Sequence, residues 1–235
     1  MTRDERRSLG ADEAGWAGRE PTRDAIPGEP PPVADGRVRR GIQNRHAIVD
    51  AIYALIEEGA LEPTAEEVAA RARLGVRSVF RHFREMDVLR AEVSARVTRE
   101  VLPTFDMKAR PDDPAGRVRE LVTCHTAAFE RLMPFRRAGD VVVHRSPFLQ
   151  GEQTRFDRFL RVAIQKALAA ELAECDAATL ETIDLLLSFQ AWLRLRGAQG
   201  LSLLAARRLL ERSIQSALEA GAAAKRAARG SGGGR

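Results

Sequence analysis

The stretch that decides the fold is PTAEEVAARARLGVRSVFRHFREMDVL, residues 63–89. Thr64 and Glu67 have the spacing of a capping box, in which each side chain accepts the backbone N–H of the other residue, so we expect a helix to begin here. Gly75 restarts the chain after that short helix. In 76–83, Val79 and Phe83 lie four residues apart, on one side of a helix. The pattern predicts two short helices joined by a tight turn.

An amphipathic helix is predicted before this stretch, beginning near Gly41. Its apolar residues recur at helical spacing, and Gly59 is suited to end it. A small core is expected behind the helix 76–83, formed by Ile52, Leu55, Val68, Val79 and Phe83. A fourth helix is predicted from about Asp87 to Val101, where Pro103 closes it.

The outward side of the helix 76–83 has side chains of the types that bind DNA. The major groove of B-DNA is about 12 Å wide and admits one α-helix. Arginine, here Arg77 and Arg81, binds guanine through two hydrogen bonds or pairs with a phosphate. Ser78 and the backbone N–H groups at the helix N-terminus suit phosphate oxygens. His82 either contacts a phosphate or packs on its own helix. The sequence therefore predicts a helix-turn-helix that binds double-stranded DNA.

These residues resemble the TetR family of bacterial transcriptional regulators, from Ile48-Val49-Asp50-Ala51 to Leu89. The string Phe-Arg-His-Phe at 80–83 is the most specific part of the match. The resemblance implies a homodimer whose third helices enter successive major grooves of a palindromic operator. It also implies a C-terminal domain that binds a small-molecule effector and dimerises through the last two long helices. Effector binding would release the DNA, which describes a repressor more often than an activator.

The chain departs from the family pattern within the motif. Arg73 stands at the usual glycine of the turn, and Gly75 stands where a small polar N-cap is typical. Phe80 replaces a tyrosine whose hydroxyl commonly contacts a phosphate, whereas Ser78 keeps the hydroxyl of the frequent threonine. The predicted DNA-binding residues are Arg40, Arg45, Thr64, Arg77, Ser78, Phe80, Arg81 and His82.

Composition favours an all-α protein, and the distribution of charge favours binding to a polyanion. The chain has 235 residues, 5% aromatic residues and a formal net charge of +5. Positive charge is concentrated in two acid-free clusters, which produce the local fields that polyanion contact needs. These clusters are Arg37, Arg39, Arg40 and Arg45, and Arg71, Arg73, Arg77, Arg81 and Arg84. The first cluster is interpreted either as an arm that contacts DNA or as a solvated linker.

Four segments are predicted along the chain. Residues 1–36 are expected to be a disordered leader that contains Trp16, since they hold five Pro and five Gly. A helix-turn-helix domain follows at 37–89, with a connecting helix to about 102. Residues 103–220 are predicted to form a helical effector-binding and dimerisation domain, and 221–235 a flexible tail. No run approaches the ~20 apolar residues of a membrane span, and no signal peptide is visible, so a cytoplasmic location is expected.

Within 103–220, a helix is predicted to end at Pro134 and an irregular segment, with a loop or short helix at 141–143, to fill 135–148. Long helices are then expected at about 150–174, 176–196 and 201–220. The dimer contact is predicted on the apolar stripe of the last two, formed by Leu180, Ile183, Leu187, Leu203, Leu210, Ile214 and Ala217.

Aromatic residues of this domain are either core or the lining of an effector pocket. The candidates for effector binding are His125, Phe129, Phe148, Phe159, Phe189 and Trp192. His125 is interpreted as a core histidine or as a hydrogen-bond partner of the effector.

Metal and catalytic sites are not indicated by residue spacing. Cys124 and His125 are adjacent and therefore point about 100° apart on a helix. The chain has no CxxC or HxxxH spacing and no Gly-rich phosphate loop. We expect no metal, no cofactor and no enzymatic activity. Two alternatives stay open, a helical ligand-binding or interaction protein without specific DNA binding, and a helical enzyme.

Overall fold

The computed structural model describes residues 36–84, 86–107 and 112–231. These residues form helices and turns without a β-strand, and the prediction of an all-α fold is confirmed. The predicted leader up to residue 35, with Trp16, lies outside the described residues. None of the described helices is long and apolar enough to cross a bilayer.

Ten α-helices are described, and their bounds are α1 Gly36–Glu57, α2 Ala65–Ala72, α3 Val76–Phe83, α4 Met86–Val101, α5 Pro114–Val142, α6 Pro147–Ala167, α7 Ala169–Ala173, α8 Ala177–Leu186, α9 Phe189–Leu193 and α10 Leu203–Ser231. Short 3-10 helices follow α4 at Leu102–Phe105 and α5 at Val143–Arg145. A π-helical turn, Arg194–Ala198, follows α9.

The chain divides into two compact units. The first contains the described residues up to Glu100 together with Pro134–Arg155. The second contains Val101–Met133 and the described residues from Phe156 onward. Helices α5 and α6 therefore each contribute to both units.

In the first unit, α1 packs on α2 and α2 packs on α3. Ile48, Val68 and Val79 are fully buried at the centre of this arrangement, and Ile52 is also buried. Phe83 is half-buried. The predicted small core behind α3 is therefore present, with Val79 rather than Phe83 as its deepest residue on α3.

Helices α1 and α4 are joined by polar side chains along their length. The hydrogen-bonded pairs are Arg45–Glu92, Asp50–Arg96 and Tyr53–Glu100, each at 2.5 Å. Because the residue numbers rise together from pair to pair, the two helices run parallel to each other. Burial and the Glu100 carboxylate raise the pKa of Tyr53 to about 12, so its hydroxyl stays protonated and donates to Glu100.

Helix α1 begins at Gly36, earlier than the predicted start near Gly41. Arg39 and Arg40 consequently lie in its first turns instead of in an extended arm. The Arg40 Nε donates to the Gly36 carbonyl oxygen at 3.0 Å, an intrahelical contact that satisfies one end of the side chain.

The prediction that Pro134 ends a helix is wrong, because α5 continues through it to Val142. Proline removes one backbone hydrogen bond and clashes with the carbonyl four residues earlier, which costs about 3 kcal/mol in isolation. Burial of apolar residues on both sides of the proline offsets this cost, since Phe129 and Leu132 precede it and Ala138 and Val142 follow it. Tertiary packing thus overrides the local signal.

Two long helices predicted after α5 are interrupted. The predicted helix 150–174 breaks at Leu168, between α6 and α7. The predicted helix 176–196 breaks at Ser188, whose hydroxyl accepts the backbone N–H of Ala191 at 3.1 Å and caps α9. Serine at an N-cap is a local signal that the sequence pattern contained.

Helix α8 packs on α10 in the second unit. The predicted dimer stripe lies largely inside this contact, because Ile183, Leu187, Leu210 and Ile214 are buried by the chain itself. These four residues are therefore not available to a second copy, whereas Leu180, Leu203 and Ala217 are half-buried, and the dimer contact stays a prediction. The apolar residues satisfy each other within one chain.

Helix α10 continues to Ser231, whereas the sequence predicted its end near residue 220. Gly221 lies at the point where α10 meets Cys175 and Thr179. Its carbonyl oxygen accepts the backbone N–H of Asp176 at 3.2 Å. The Ala-rich segment beyond Gly221 has high helix propensity. The segment 221–231, predicted to be part of a flexible tail, is thus helical.

Candidate nucleic-acid interface

The helix-turn-helix begins at the predicted capping box. Thr64 Oγ1 accepts the backbone N–H of Glu67 at 3.2 Å, and the Glu67 carboxylate accepts the backbone N–H of Thr64 at 2.8 Å. The backbone N–H and the hydroxyl of Thr64 both donate to the Glu67 carboxylate, which holds the pKa of Glu67 below its ordinary value. The cap fixes the start of α2, as predicted from the sequence.

The turn between α2 and α3 depends on Arg73. Its backbone has φ 54° and ψ 43°, in the left-handed region that glycine adopts without strain. This conformation lets the backbone N–H of Leu74 donate to the carbonyl of Ala69 at 3.0 Å. A non-glycine residue in this region costs roughly 1–2 kcal/mol. The turn therefore has the geometry that glycine would favour, although arginine occupies the position.

Helix α3 is anchored on one side and exposed on the other. Val79 has no exposed surface, whereas Phe80 is 53% exposed. Arg77, Arg81 and Arg84 are exposed as well. We call Arg77, Phe80, Arg81 and Arg84 the reading face, and with Phe83 they line a shallow depression.

The arginines of the reading face have no acidic partner among the residues that the structure describes, since Arg77, Arg81 and Arg84 form no ion pair with any of them. Elsewhere in this unit, the guanidinium groups of Arg71 and Arg145 pair with Glu58 and Glu62. The hydrogen bond from Arg71 holds the pKa of Glu58 below its ordinary value. The positive charge of the reading face is thus not neutralised by the described acidic residues.

The N-terminus of α3 presents backbone donors without a side-chain cap. Gly75 is its N-cap residue and contributes no hydrogen bond from a side chain. The Ser78 N–H is used by the Gly75 carbonyl oxygen at 2.9 Å, and the Ser78 side chain is half-buried. The N–H groups of Val76 and Arg77 remain at the helix start, where an anion is favoured.

The remaining predicted DNA-binding residues are placed in different surroundings. Thr64 is exposed, but its hydroxyl belongs to the cap of α2. Arg45 is partly exposed and pairs with Glu92. His82 is half-buried, and its Nε2 is buried without a hydrogen-bond partner among the described residues. In this conformation, Nε2 of His82 is not available to a phosphate.

Arg84 was not among the predicted DNA-binding residues. It lies at the C-cap of α3 and shares the depression with Arg77 and Arg81. The sequence signal was present, because Arg84 belongs to the acid-free cluster that also contains Arg77 and Arg81. Its position just beyond the helix end obscured its place on the same face.

The candidate effector residues other than Phe148 belong to a second cluster, in the second unit. Its edge-to-face and tilted ring contacts have centroid distances of 5.2–6.5 Å. We call this the aromatic cluster, which comprises Phe105, His125, Phe129, Phe156, Phe159, Phe189 and Trp192. Phe148 belongs to the first unit and is not part of the cluster.

The polar side chains in and next to the aromatic cluster differ in their hydrogen-bond partners. The Trp192 indole N–H donates to Glu130 at 2.9 Å. His125 is 1% exposed, and its Nδ1 lies 3.0 Å from the Leu121 carbonyl oxygen. Burial lowers the pKa of His125 to about 4. Cys124, next to it, has its pKa raised to about 11, mainly by burial. No group of three or more potential metal ligands occurs in the described ranges.

The fold is similar to that of a crystal structure of a transcriptional regulator from Rhodococcus sp. Rha1. The two structures superpose with a TM-score of 0.56 at 18% sequence identity, and the match covers 77% of this chain and 97% of the other. No protein-family model matches the sequence, and no curated protein matches it. The similarity shows that the two chains share their fold.

Proposed function

We propose that this chain is a DNA-binding transcriptional regulator that belongs to the TetR family. One observation carries the proposal, which is that α3 is anchored by the buried Val79 and turns Arg77 and Arg81 toward solvent, where neither has an acidic partner among the described residues. A rod of this kind fits the major groove, where arginines bind guanine edges or phosphates. The fold that the chain shares with a transcriptional regulator supports the same function. Binding to genomic DNA requires a cytoplasmic location in bacteria.

Specific binding by this motif requires two copies. One reading face touches few phosphates and base pairs, and helix-turn-helix proteins reach specificity by placing two such helices in successive major grooves. We propose a homodimer on a palindromic operator. Its contact uses the exposed sides of α8 and α10, where Leu185 is 70% and Leu204 57% exposed. Contiguous exposed apolar patches are typical of surfaces that a partner covers.

We further propose that the regulator is a repressor and that binding of a small molecule releases it from DNA. The aromatic cluster in the second unit supports it, because sites for apolar ligands are lined mainly by hydrophobic and aromatic side chains with a small number of polar groups. An effector bound there acts by changing the separation of the two reading faces in the dimer.

No catalytic role is proposed. The adjacent residues Cys124 and His125 are the nearest approach to a nucleophilic pair, but a thiol with its pKa raised to about 11 is a poor nucleophile at neutral pH. The Nδ1 of His125 is occupied by the Leu121 carbonyl. Neither residue is arranged to activate the other.

Selection from fragmented genomic DNA tests the function. The full-length purified chain is mixed with fragments at fixed salt, and bound fragments are sequenced. We expect an enriched inverted repeat whose half-sites lie about one helical turn, roughly 10 bp, or a multiple of it apart. The double variant Arg77→Ala/Arg81→Ala should lose the enrichment, whereas Arg158→Ala, an exposed arginine on α6, should keep it. Absence of enrichment with the wild-type chain would instead favour a helical ligand-binding or interaction protein.

A further inference from the structure

His125, near the middle of α5, is enclosed by aromatic rings. The Phe105 ring stands edge-on to it at 5.3 Å, and the Phe129 ring at 6.1 Å. The imidazole is 1% exposed, so whatever its ring nitrogens bind must lie inside the second unit.

The hydrogen bond to Leu121 fixes which ring nitrogen carries the proton. A backbone carbonyl oxygen only accepts, so Nδ1 must be the donor in the 3.0 Å contact. In the neutral imidazole Nε2 then has a lone pair and is an acceptor. Because burial lowers the pKa of His125 to about 4, the ring stays neutral at pH 7.

Nε2 of His125 is buried and has no hydrogen-bond donor among the described residues. Buried polar groups in native proteins are nearly always paired, and an unpaired one disfavours folding. The buried His125 among phenylalanine rings therefore lowers the stability of the folded chain, unless a hydrogen-bond donor pairs with its Nε2.

We propose that Nε2 of His125 accepts a hydrogen bond from the effector, and that the effector is a small, uncharged aromatic molecule with a hydroxyl or N–H donor, of the phenol class. This inference rests on the proposed effector-responsive function. The surrounding rings pack favourably against an aromatic ring through edge-to-face contacts. An anion finds no positive charge at Nε2, since the imidazole is neutral.

Nearby cations are committed elsewhere. Arg207 Nε donates to the Thr126 hydroxyl at 2.7 Å, and adjacent residues on a helix point about 100° apart, so this guanidinium serves a different side of α5 from His125. Arg196 Nε pairs with Glu130 at 2.9 Å. A carboxylate ligand would thus lose its hydration without gaining an ion pair.

Phe159 is the member of the aromatic cluster with appreciable surface exposure, whereas Phe105 and Phe129 are buried. Its ring contacts Phe105 at a centroid distance of 5.2 Å. Phe159 is therefore the ring of the aromatic cluster that is most accessible from solvent.

Three fluorinated benzene derivatives test the proposed ligand class by ¹⁹F NMR titration of the full chain. They are 4-fluorophenol, fluorobenzene and 4-fluorobenzoate. We expect 4-fluorophenol to bind about three- to tenfold more tightly than fluorobenzene, the range that one neutral hydrogen bond supplies. The benzoate should bind more weakly than the phenol. The variant His125→Phe should bind phenol and fluorobenzene equally, and His144→Gln, which changes an exposed histidine, should keep the wild-type preference.

A spectroscopic readout is independent of any variant. In wild-type protein with ¹⁵N-labelled histidine, 4-fluorophenol should move one Nε2 resonance from the free-acceptor range toward the hydrogen-bonded range, and fluorobenzene should not. Equal affinity for the phenol and fluorobenzene, a phenol preference that survives in His125→Phe, or absence of binding by all three probes at millimolar concentration would overturn the inference. Each of those results leaves DNA selection by the unliganded chain unaffected, so failure of the ligand class and failure of the DNA-binding function remain distinguishable.

Discussion

Gly221 lies so close to Thr179 that a Cβ atom at position 221 would stand 1.9 Å from the Thr179 Oγ1. The same atom would lie 3.2 Å from the Cys175 Cβ. Helices α8 and α10 therefore approach each other at a point where only glycine fits. The contact joins the end of the chain to the core of the second unit.

Gly221→Ala should destabilise the second unit. Alanine gains about 1 kcal/mol of helix propensity over glycine, but overpacking costs about 1–3 kcal/mol and a contact this short lies at the upper end of that range. We expect a net loss of about 1–2 kcal/mol in urea unfolding. Trp192 fluorescence in a Trp16→Phe background reports this unit, since the chain has two tryptophans.

Removal of the clashing hydroxyl provides the control for that substitution. In the double variant Gly221→Ala/Thr179→Ala, the loss should be smaller than the sum of the two single losses, because residues in contact are not additive. A Gly221→Ala chain that unfolds at higher urea concentration than wild type would show that the two helices do not approach at this residue.

Arg73→Gly should stabilise the helix-turn-helix. Glycine relieves the left-handed backbone at φ 54° but increases the entropy of the unfolded chain, which leaves a net gain of about 0.5–1 kcal/mol. Hydrogen–deuterium exchange of the α2 and α3 amides measures the gain locally. Arg73→Ala removes the same charge but keeps the Cβ atom, so it should give no such protection. Equal protection in both variants would attribute the effect to charge rather than to backbone strain.

The stability of the second unit should fall with acidification because of His125. Its pKa is lowered from 6.5 to about 4 on folding, so between these values the unfolded chain binds a proton that the folded chain does not. The stabilisation present above pH 6.5 is lost progressively as the pH falls toward 4. From pH 7.5 to pH 5, this group should remove about 2 kcal/mol.

Comparison with His125→Phe isolates that effect from other titrating groups. Urea unfolding followed by Trp192 fluorescence should show a steeper pH dependence for wild type than for the variant between pH 7.5 and 5. Parallel curves for the two proteins would mean that His125 is protonated, or solvated, in the folded chain.

The helix-turn-helix was predictable because its signals are local. Thr64 and Glu67 specify a capping box through a three-residue spacing, and Val79 is placed inward by helical periodicity alone. These two features depend on residues close in sequence, and the structure has them where the sequence predicted them. The left-handed backbone of Arg73 was not predicted, although Arg73 stands at the usual glycine of the turn.

The second unit was less predictable because its features depend on tertiary contacts. Pro134 is a strong helix-ending signal that packing on both sides overrides. Gly221 suggested a frayed tail, and its actual role depends on Thr179, far away in the sequence. The apolar residues Ile183 and Ile214 gave a stripe that fits a partner helix, but periodicity does not distinguish a second copy of the chain from the chain's own helices.

The residues of the candidate site also divide into those that local sequence predicts and those whose surroundings depend on tertiary contacts. Arg77 and Arg81 were predicted from helical spacing, and both are exposed on α3. The pairing of Arg45 with Glu92 and the buried Nε2 of His82 required knowledge of neighbouring helices. The hydrogen bond that fixes the His125 tautomer is local, but the absence of a partner at Nε2 among the described residues is a property of the packed unit.

The salt dependence of operator binding measures the role of the reading face most directly. Affinity for a selected fragment is determined over a series of salt concentrations for wild type, Arg77→Ala, Arg81→Ala and the control Arg158→Ala. An arginine on a phosphate should lower the slope of log affinity against log salt by about 0.9, and one on guanine should cost about 1–3 kcal/mol at a single base pair. We expect both α3 variants to lose affinity in one of these ways while Arg158→Ala keeps that of wild type. Wild-type affinity and slope in both α3 variants would contradict the assignment of α3 as the helix that binds DNA.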